Sequence, residues 1–497
     1  MKTLSQIFLC VLLCSVPPSF AADRQPFAFP RSAPEAQGVS SSALLALVEA
    51  LDQNDAMHSF MLVRHGNVIA EGWWTPYRAQ DRHELYSLSK SFTSTAVGMA
   101  VADGKLSIDD EVLKFFPEDA PANPSANLKA MRVRDLLTMN AGHQDEVPTA
   151  ADKISARSFL TNAVPHKPGT HFKYNTPATF MLSAIVQKQT GQTVEEYLRP
   201  RLFEPLGIAQ PLWNTNFQGV SLGGYGLNVR TEDIARFGQL YLQKGEWQGR
   251  QLIAKDWVEM ATSKQVSNGS NPKSDWEQGY GFQFWRCRNG AYRGDGAFGQ
   301  YCIVLPEQDA VIAITSGVKD MQGVLNLVWD KLLPAFQAER LPADRERQKN
   351  LVEKLAGLQV RPADGRETSP LAAKISGRKF VFPANERKLE AVTITSDKTG
   401  SGVTVALQEN GLTHQFASSY RVWQEDPGSF GAYVDQPAAA TSAWAADDTF
   451  VIKQCFTGTP YHVTHKLRFD GEQVLYDAES NVGFRGTKQP QLTGRSQ

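Results

Sequence analysis

The chain has 497 residues, 42% of them hydrophobic, 10% aromatic and 21% charged, the composition of a globular protein too long for one ordinary domain. Lys and Arg total 51 against 52 Asp and Glu, a formal charge of −1. That balance excludes the basic footprint of a nucleic-acid binder or of a protein drawn to anionic membranes.

In chain order, the first segment reads Met-Lys-Thr-Leu-Ser-Gln-Ile-Phe-Leu-Cys-Val-Leu-Leu-Cys-Ser-Val. One positive charge precedes an apolar run too short to span a bilayer, and Ser19-Phe-Ala21 then offers small residues where a signal peptidase reads. The pattern predicts a cleaved export signal over 1–21, a periplasmic or secreted mature chain, and no integral membrane segment after cleavage. Cleavage removes Cys10 and Cys14 and leaves Cys287, Cys302 and Cys455, an odd set. Cys287 and Cys302 flank a glycine-rich turn, which fits either a disulfide across a hairpin or two buried thiols.

Ser41–Leu51 has helical spacing of leucines, and Phe60–Val63 and Val68–Trp73 form a hairpin signal around His65-Gly66-Asn67. A helical run from Ser91 to Asp103 stops at Gly104. Further helices are predicted at Arg134–Met139, Phe180–Thr190 and Glu232–Leu242. Strands return at Tyr280–Trp285, Gln300–Leu305 and Ala310–Thr315, followed by a helix over Leu325–Phe336. Strands from both ends with helices between them predict an α/β (α+β) domain over 22–338, a sheet flanked by helices with an all-helical lobe and a cleft between them. Residues 339–373 read as a charged helix and linker. Residues 374–490 carry short alternating runs (Lys379–Phe382, Glu390–Ile394, Gly402–Leu407, Phe450–Cys455, His462–Phe469) that predict a small antiparallel β-domain.

The chemistry concentrates in His83-Glu-Leu-Tyr-Ser-Leu-Ser-Lys-Ser-Phe-Thr-Ser-Thr95. Ser87 and Lys90 stand three apart at a helix start, so both side chains share one face. A serine hydroxyl needs a base to become nucleophilic, and a lysine held neutral by its surroundings can serve. The helix start adds free N–H groups and partial positive charge for an oxyanion. Ser-x-x-Lys also occurs at Ser270, Ser316 and Ser376, but none of these leads into a long helix.

Ser87-Leu-Ser-Lys90-Ser-Phe-Thr resembles the nucleophile motif of the serine β-lactamase and penicillin-binding-protein superfamily, in its class C β-lactamase-related hydrolase branch. The likeness runs from about residue 35 to 335 through Val101–Asp110, Arg134–Gly142 and Pro168–Tyr174. The 374–490 segment is similar to the lipocalin-like domains appended to some members. The resemblance implies Ser87 as nucleophile, Lys90 as base and Tyr174 as acid/base, the last with a pKa lowered by the nearby ammonium. The family's Tyr-x-Asn motif reads Tyr174-Asn175-Thr176, so Thr176 replaces an amide with one hydroxyl. Its Lys-Thr-Gly motif aligns with Gly294-Asp295-Gly296, which lacks the cation. Gly294, Asp295 and Gly296 are then substrate-binding candidates, and the backbone N–H groups of Ser87 and Ala297 form the oxyanion hole. Arg293 is expected to point away from the face of position 294.

A literal Lys398-Thr-Gly400 reads as a hairpin turn of the second domain. Gly219-Val-Ser221-Leu-Gly223 matches a nucleophile elbow but lacks the strand before it and the helix after it. The sequence thus predicts an exported serine hydrolase that cleaves an ester or amide of a small molecule or short peptide, with no metal or organic cofactor. The alternatives are a penicillin-recognising or ligand-binding relative with little turnover, or a true β-lactamase or D-amino-acid peptidase.

Overall fold

The computed structural model describes residues 27–145, 147–397, 402–431 and 433–497. The export signal expected over 1–21 and the Lys398-Thr-Gly400 turn lie outside the described residues.

The first domain is built on a six-stranded antiparallel sheet. Its strand order is Asn67–Trp73, Met57–Arg64, Ala310–Ser316, Gln300–Leu305, Tyr292–Gly296 and Trp285–Arg286. The ends of the domain therefore meet in its centre, where Phe60 pairs with Ile314 and Leu62 with Ile312. Alternation then divides the side chains between two cores. Phe60, Leu62, Ile303, Ile312 and Ile314 face the layer formed by the helix Ser41–Asp52 and the turns after Met321. Met61, Val63, Cys302, Val304 and Val311 face the helical lobe. Both faces are covered, which is why the central strands read as apolar runs. On the lobe side the helix Thr231–Leu242 comes so close that a Cβ at Gly238 would lie 2.5 Å from Val311.

The centre of the lobe is the helix Ser89–Ala102, buried along almost its whole length. Its absence of a polar stripe explains why the sequence shows apolar, Ser and Thr residues mixed without helical periodicity. The helix Thr176–Thr190 packs against it, N-capped by Asn175 and ended by Gly191 at φ 72°.

Three expectations need correction. Tyr280–Trp285 is not a strand: only Trp285–Arg286 joins the sheet, and Tyr280 makes isolated bridges, because Gly281 runs against Ala261 with no room for a side chain (its Cβ would lie 2.0 Å from the Ala261 carbonyl). Leu325–Phe336 is not one helix but Met321–Leu327 followed by a wider and then a tighter turn ending at Ala335. The stretch 339–373 is more than a linker. Its helix, Arg345–Ala356, lies on Ser41–Asp52, and Leu351, Leu358 and Val360 complete the outer core of the first domain.

The second domain is a ten-stranded, mostly antiparallel sheet between Lys379 and Ser496. It closes where Ser419 meets Thr441, giving a barrel filled by Phe380, Ile394, Val405, Trp444, Leu467 and Tyr476 among others. The last strand, Leu492–Ser496, pairs with both Gln473–Ser480 and Lys379–Val381, so the barrel runs beyond residue 490. The two domains are clamped together. Asn481 donates to the Gly317 carbonyl at 2.8 Å, Lys453 meets Asp55 at 2.5 Å, and a Cβ at Gly317 would strike the Pro460 carbonyl.

Packing of the 345–356 helix can be read directly. Leu351 is 2% exposed, and Leu351→Ala should lower stability by about 2–5 kcal/mol through the cavity it leaves. Its neighbour Val352 is 57% exposed, and Val352→Ala should stay within about 0.5 kcal/mol. Urea denaturation followed by tryptophan fluorescence compares the two, and equal effects would mean that the helix is merely a tether.

Candidate active site

Ser87 lies in a single tight turn, Tyr86–Leu88, which runs without a break into the buried helix Ser89–Ala102. The residue before it, Tyr86, has φ 46°, a left-handed conformation that is costly for a bulky side chain. The strand Tyr292–Gly296 passes directly behind this turn. A Cβ at Gly296 would lie 2.0 Å from the Leu85 carbonyl and 3.1 Å from the Ser87 nitrogen, so only glycine permits the approach. Ala297 follows at the strand end and lines the same cavity as Ser87.

Lys90 is 1% exposed. Its Nζ lies 3.0 Å from Ser87 Oγ, 2.7 Å from the Gly224 carbonyl and 3.2 Å from Thr176 Oγ1. A neutral amine has two N–H donors and one lone pair. The Gly224 and Thr176 oxygens take the donors, which leaves the lone pair for the Ser87 proton. Burial brings the Lys90 amine down to about 7, against a smaller opposing pull from Asp295. Thr176 thus meets Lys90 through its hydroxyl oxygen.

Tyr174 also stands at Ser87, its ring 5.0 Å from Lys90 Nζ and stacked on Trp285 at 5.3 Å. Its phenol departs from the sequence expectation. Burial, reinforced by Asp295, raises it above its ordinary value, while the Ser87 hydroxyl pulls only weakly the other way. Arg293 also lowers it, but burial prevails, and Tyr174 stays a proton donor at neutral pH.

Gly294 does not bind in the cleft. It faces the helix, where a Cβ would lie 2.4 Å from Leu88 and 2.6 Å from Ser91 Oγ, so no longer side chain fits without a shift. Asp295 and Arg293 project from the opposite face, as strand alternation requires. Their side chains pair at 2.7 Å, and the Arg293 guanidinium also donates to the Asp275 carbonyl at 2.7 Å. Burial raises the Asp295 carboxyl, with Arg293 opposing. This cation is thus fully committed inside the protein. Asp295 and Gly296 do line the cavity, as do Ser87, Tyr174 and Thr176.

That cavity, about 720 Å3, is walled by residues that the motifs did not flag: Glu84, Tyr225, Trp276, Trp285, Tyr433 and Phe484. Glu84 sits three residues before Ser87, and the tryptophans lie close to the Gly294 segment, so proximity was a usable signal for these. Tyr433 and Phe484 come from the barrel, for which no local signal exists.

Ser221 is not among the described residues that line the cavity. Ser221 is buried on a loop, with no helix after it, and its carbonyl accepts from Ser183 at 2.7 Å. His83 and His143 make structural contacts, with His58 at 3.0 Å and the Phe159 carbonyl at 3.3 Å. Asp109 pairs with Arg134, and Asp110 with Lys114. Cys287 and Cys302 are free, because they belong to cores on opposite sides of the sheet. Among the described residues no group of His, Cys, Asp and Glu is arranged to hold a metal, and no helix is long and apolar enough to cross a membrane.

The family model described as Beta-lactamase matches residues 47–324, more than half the chain. The chain is 27% identical over 286 residues to the 6-aminohexanoate-dimer hydrolase of Paenarthrobacter ureafaciens, covering 53% of this chain and 73% of that protein. It is 26% identical over 234 residues to a beta-lactamase of Escherichia coli K12, covering 42% of this chain and 58% of that one. Among solved structures, a candidate 6-aminohexanoate-dimer hydrolase from Bacillus anthracis superposes with a TM-score of 0.52 at 21% identity, over 64% of this chain and 90% of that one. At that identity the likeness speaks for the fold alone.

The Lys90 amine sets a pH dependence. Below about 7 it is protonated and has no lone pair for Ser87; above that value it is free. Covalent labelling of the protein by a fluorophosphonate should therefore accelerate as pH rises, with half-maximal rate near 7. A rate that is flat between pH 5 and 9 would remove Lys90 as the base.

Proposed function

The chain belongs to the beta-lactamase family of hydrolases, and on that premise we propose that it is an exported serine hydrolase acting on esters or amides through an acyl-enzyme. The observation that carries the reading is the buried Lys90 amine, 3.0 Å from Ser87 Oγ with both its N–H donors occupied. Lys90 takes the Ser87 proton as Oγ bonds to the substrate carbonyl carbon. The negative charge that develops on the carbonyl oxygen is met by the N–H groups of Ser87 and Ala297. Collapse breaks the bond to the leaving alcohol or amine, which takes a proton from the Tyr174 phenol as Lys90 returns one to Tyr174. Water attacks the acyl-enzyme along the same proton route and frees the acid.

Ester or linear amide substrates are favoured over β-lactams by the absence of a free cation. Position 294 has no room for one, and Arg293 is engaged by Asp295. The name of the Paenarthrobacter relative, a hydrolase of a linear amide dimer, supports the same direction. Export rests on the N-terminal sequence.

Ser87→Ala should abolish fluorophosphonate labelling, whereas Ser221→Ala should leave it intact; labelling that survives in Ser87→Ala would end the proposal. Loss of one charge-assisted contact costs about 1.5–3 kcal/mol, or about one to two decades in rate. Accordingly, kcat/KM for p-nitrophenyl butyrate should exceed that for a chromogenic cephalosporin by at least that factor. Comparable turnover of the cephalosporin would show that another group recognises the carboxylate.

A further inference from the structure

Glu84 is a carboxylate in an unusual position. It is buried, it lines the cavity beside Ser87, and its side chain is fixed from the other domain by the Tyr433 hydroxyl, which donates to Oε2 at 2.6 Å. Among the described residues Oε1 has no hydrogen-bond partner, and no Lys, Arg or His pairs with Glu84. Among the described residues the other acid on the cavity wall is Asp295, which has Arg293 behind it, and no basic side chain lines the cavity. The cavity that Glu84 lines has aromatic walls: Tyr225, Trp276, Trp285 and Phe484, the last 72% exposed at the rim, with the Arg293 guanidinium behind Trp276 at 4.5 Å.

A buried carboxylate without a counter-charge is costly, and an aromatic enclosure with a single acid is the chemistry that receives an organic cation. Resting on the hydrolase reading above, we propose that Glu84 and its aromatic surround form a subsite for an ammonium group, so that the favoured substrates are esters or amides bearing a positive charge close to the scissile bond. The barrel takes part in specificity, since Tyr433 holds the carboxylate and Phe484 closes the aromatic wall.

Burial raises the Glu84 carboxyl to about 7, with the Tyr433 bond opposing. The titratable groups that face it are Tyr86 from the nucleophile turn, Tyr225 from the lobe, and Tyr433 and Tyr461 from the barrel. All four are phenols pushed above their ordinary values by burial, so they stay neutral. The ring of the adjacent His83 is turned to His58 and to the Glu84 carbonyl. The negative charge of Glu84 is therefore lost as pH falls through about 7, the range in which Lys90 beside Ser87 gains its proton.

The test uses n-butylammonium, the neutral n-pentanol and the anion valerate as competitive inhibitors of p-nitrophenyl butyrate hydrolysis by the full-length protein. One charge-assisted contact is expected to make butylammonium about ten- to a hundredfold more effective than pentanol at pH 8, with valerate weakest. The preference should disappear in Glu84→Gln, with folding checked by circular dichroism, and at pH 5, where butylammonium is still charged but Glu84 is not; because Lys90 is protonated there, the pH 5 comparison is read by calorimetric titration into Ser87→Ala protein rather than by turnover. Equal inhibition by butylammonium and pentanol, a preference for valerate, or a preference that survives at pH 5 would overturn the subsite; the wild-type arms decide this even if Glu84→Gln fails to fold. Calorimetric titration of butylammonium into Ser87→Ala protein reads the subsite without turnover. Failure of the hydrolase reading, seen as ester turnover retained in Ser87→Ala, is thus separate from failure of the cation subsite.

Discussion

A lysine amine withdrawn from water beside a serine hydroxyl is the arrangement around which the first domain is organised. Placing an ammonium in an apolar interior is unfavourable, so burial discharges it, and the discharged form is the useful one. Keeping Lys90 dry requires a helix buried almost throughout, a strand pressed against the nucleophile turn and a lobe loop supplying the Gly224 carbonyl. The glycine at 296 is part of the same constraint, because any side chain there would separate the strand from the turn.

The second domain reaches this centre through Tyr433 and Phe484, which line the cavity, and through its contacts with Tyr86. Tyr86, next to the nucleophile, places its ring in the barrel core and its hydroxyl 2.8 Å from both Tyr433 and Tyr461. Its backbone is held in a left-handed conformation that the isolated turn would not favour. Contacts from the barrel offset that cost, so the conformation at Ser87 is shared between two domains that are distant in sequence. A barrel that only improved solubility would have no reason to send a tyrosine and a phenylalanine into the cleft.

The charge pattern of the cleft follows from the same packing. In relatives that carry Lys-Thr-Gly the first position of the motif is a cation, but here it is Gly294 pressed on Leu88 and Ser91. The nearest guanidinium, Arg293, lies on the other face of the strand and neutralises Asp295. Among the described residues the cavity wall then holds two acids, Asp295 paired with Arg293 and Glu84 without a counter-charge, among aromatic rings.

The sequence by itself determined what depends on local spacing. Ser87 and Lys90 are three residues apart on a helix, a distance that helical geometry converts directly into contact. The alternating runs of the second domain and the end of the helix at Thr190 were legible for the same reason. The irregular Tyr280–Trp285 stretch was not, since its apolar residues divide between a cluster at Tyr174 (Tyr280, Trp285) and the lobe-side core (Phe282, Phe284) rather than forming a ladder. Only the tertiary structure decided the ionisation of Tyr174, the commitment of Arg293 and the free state of Cys287 and Cys302. Each depends on which groups exclude water or lie across the sheet. Glu84 makes the point most sharply: its hydrogen-bond partner lies 349 residues away in another domain, and no period or motif in a chain encodes a contact of that kind.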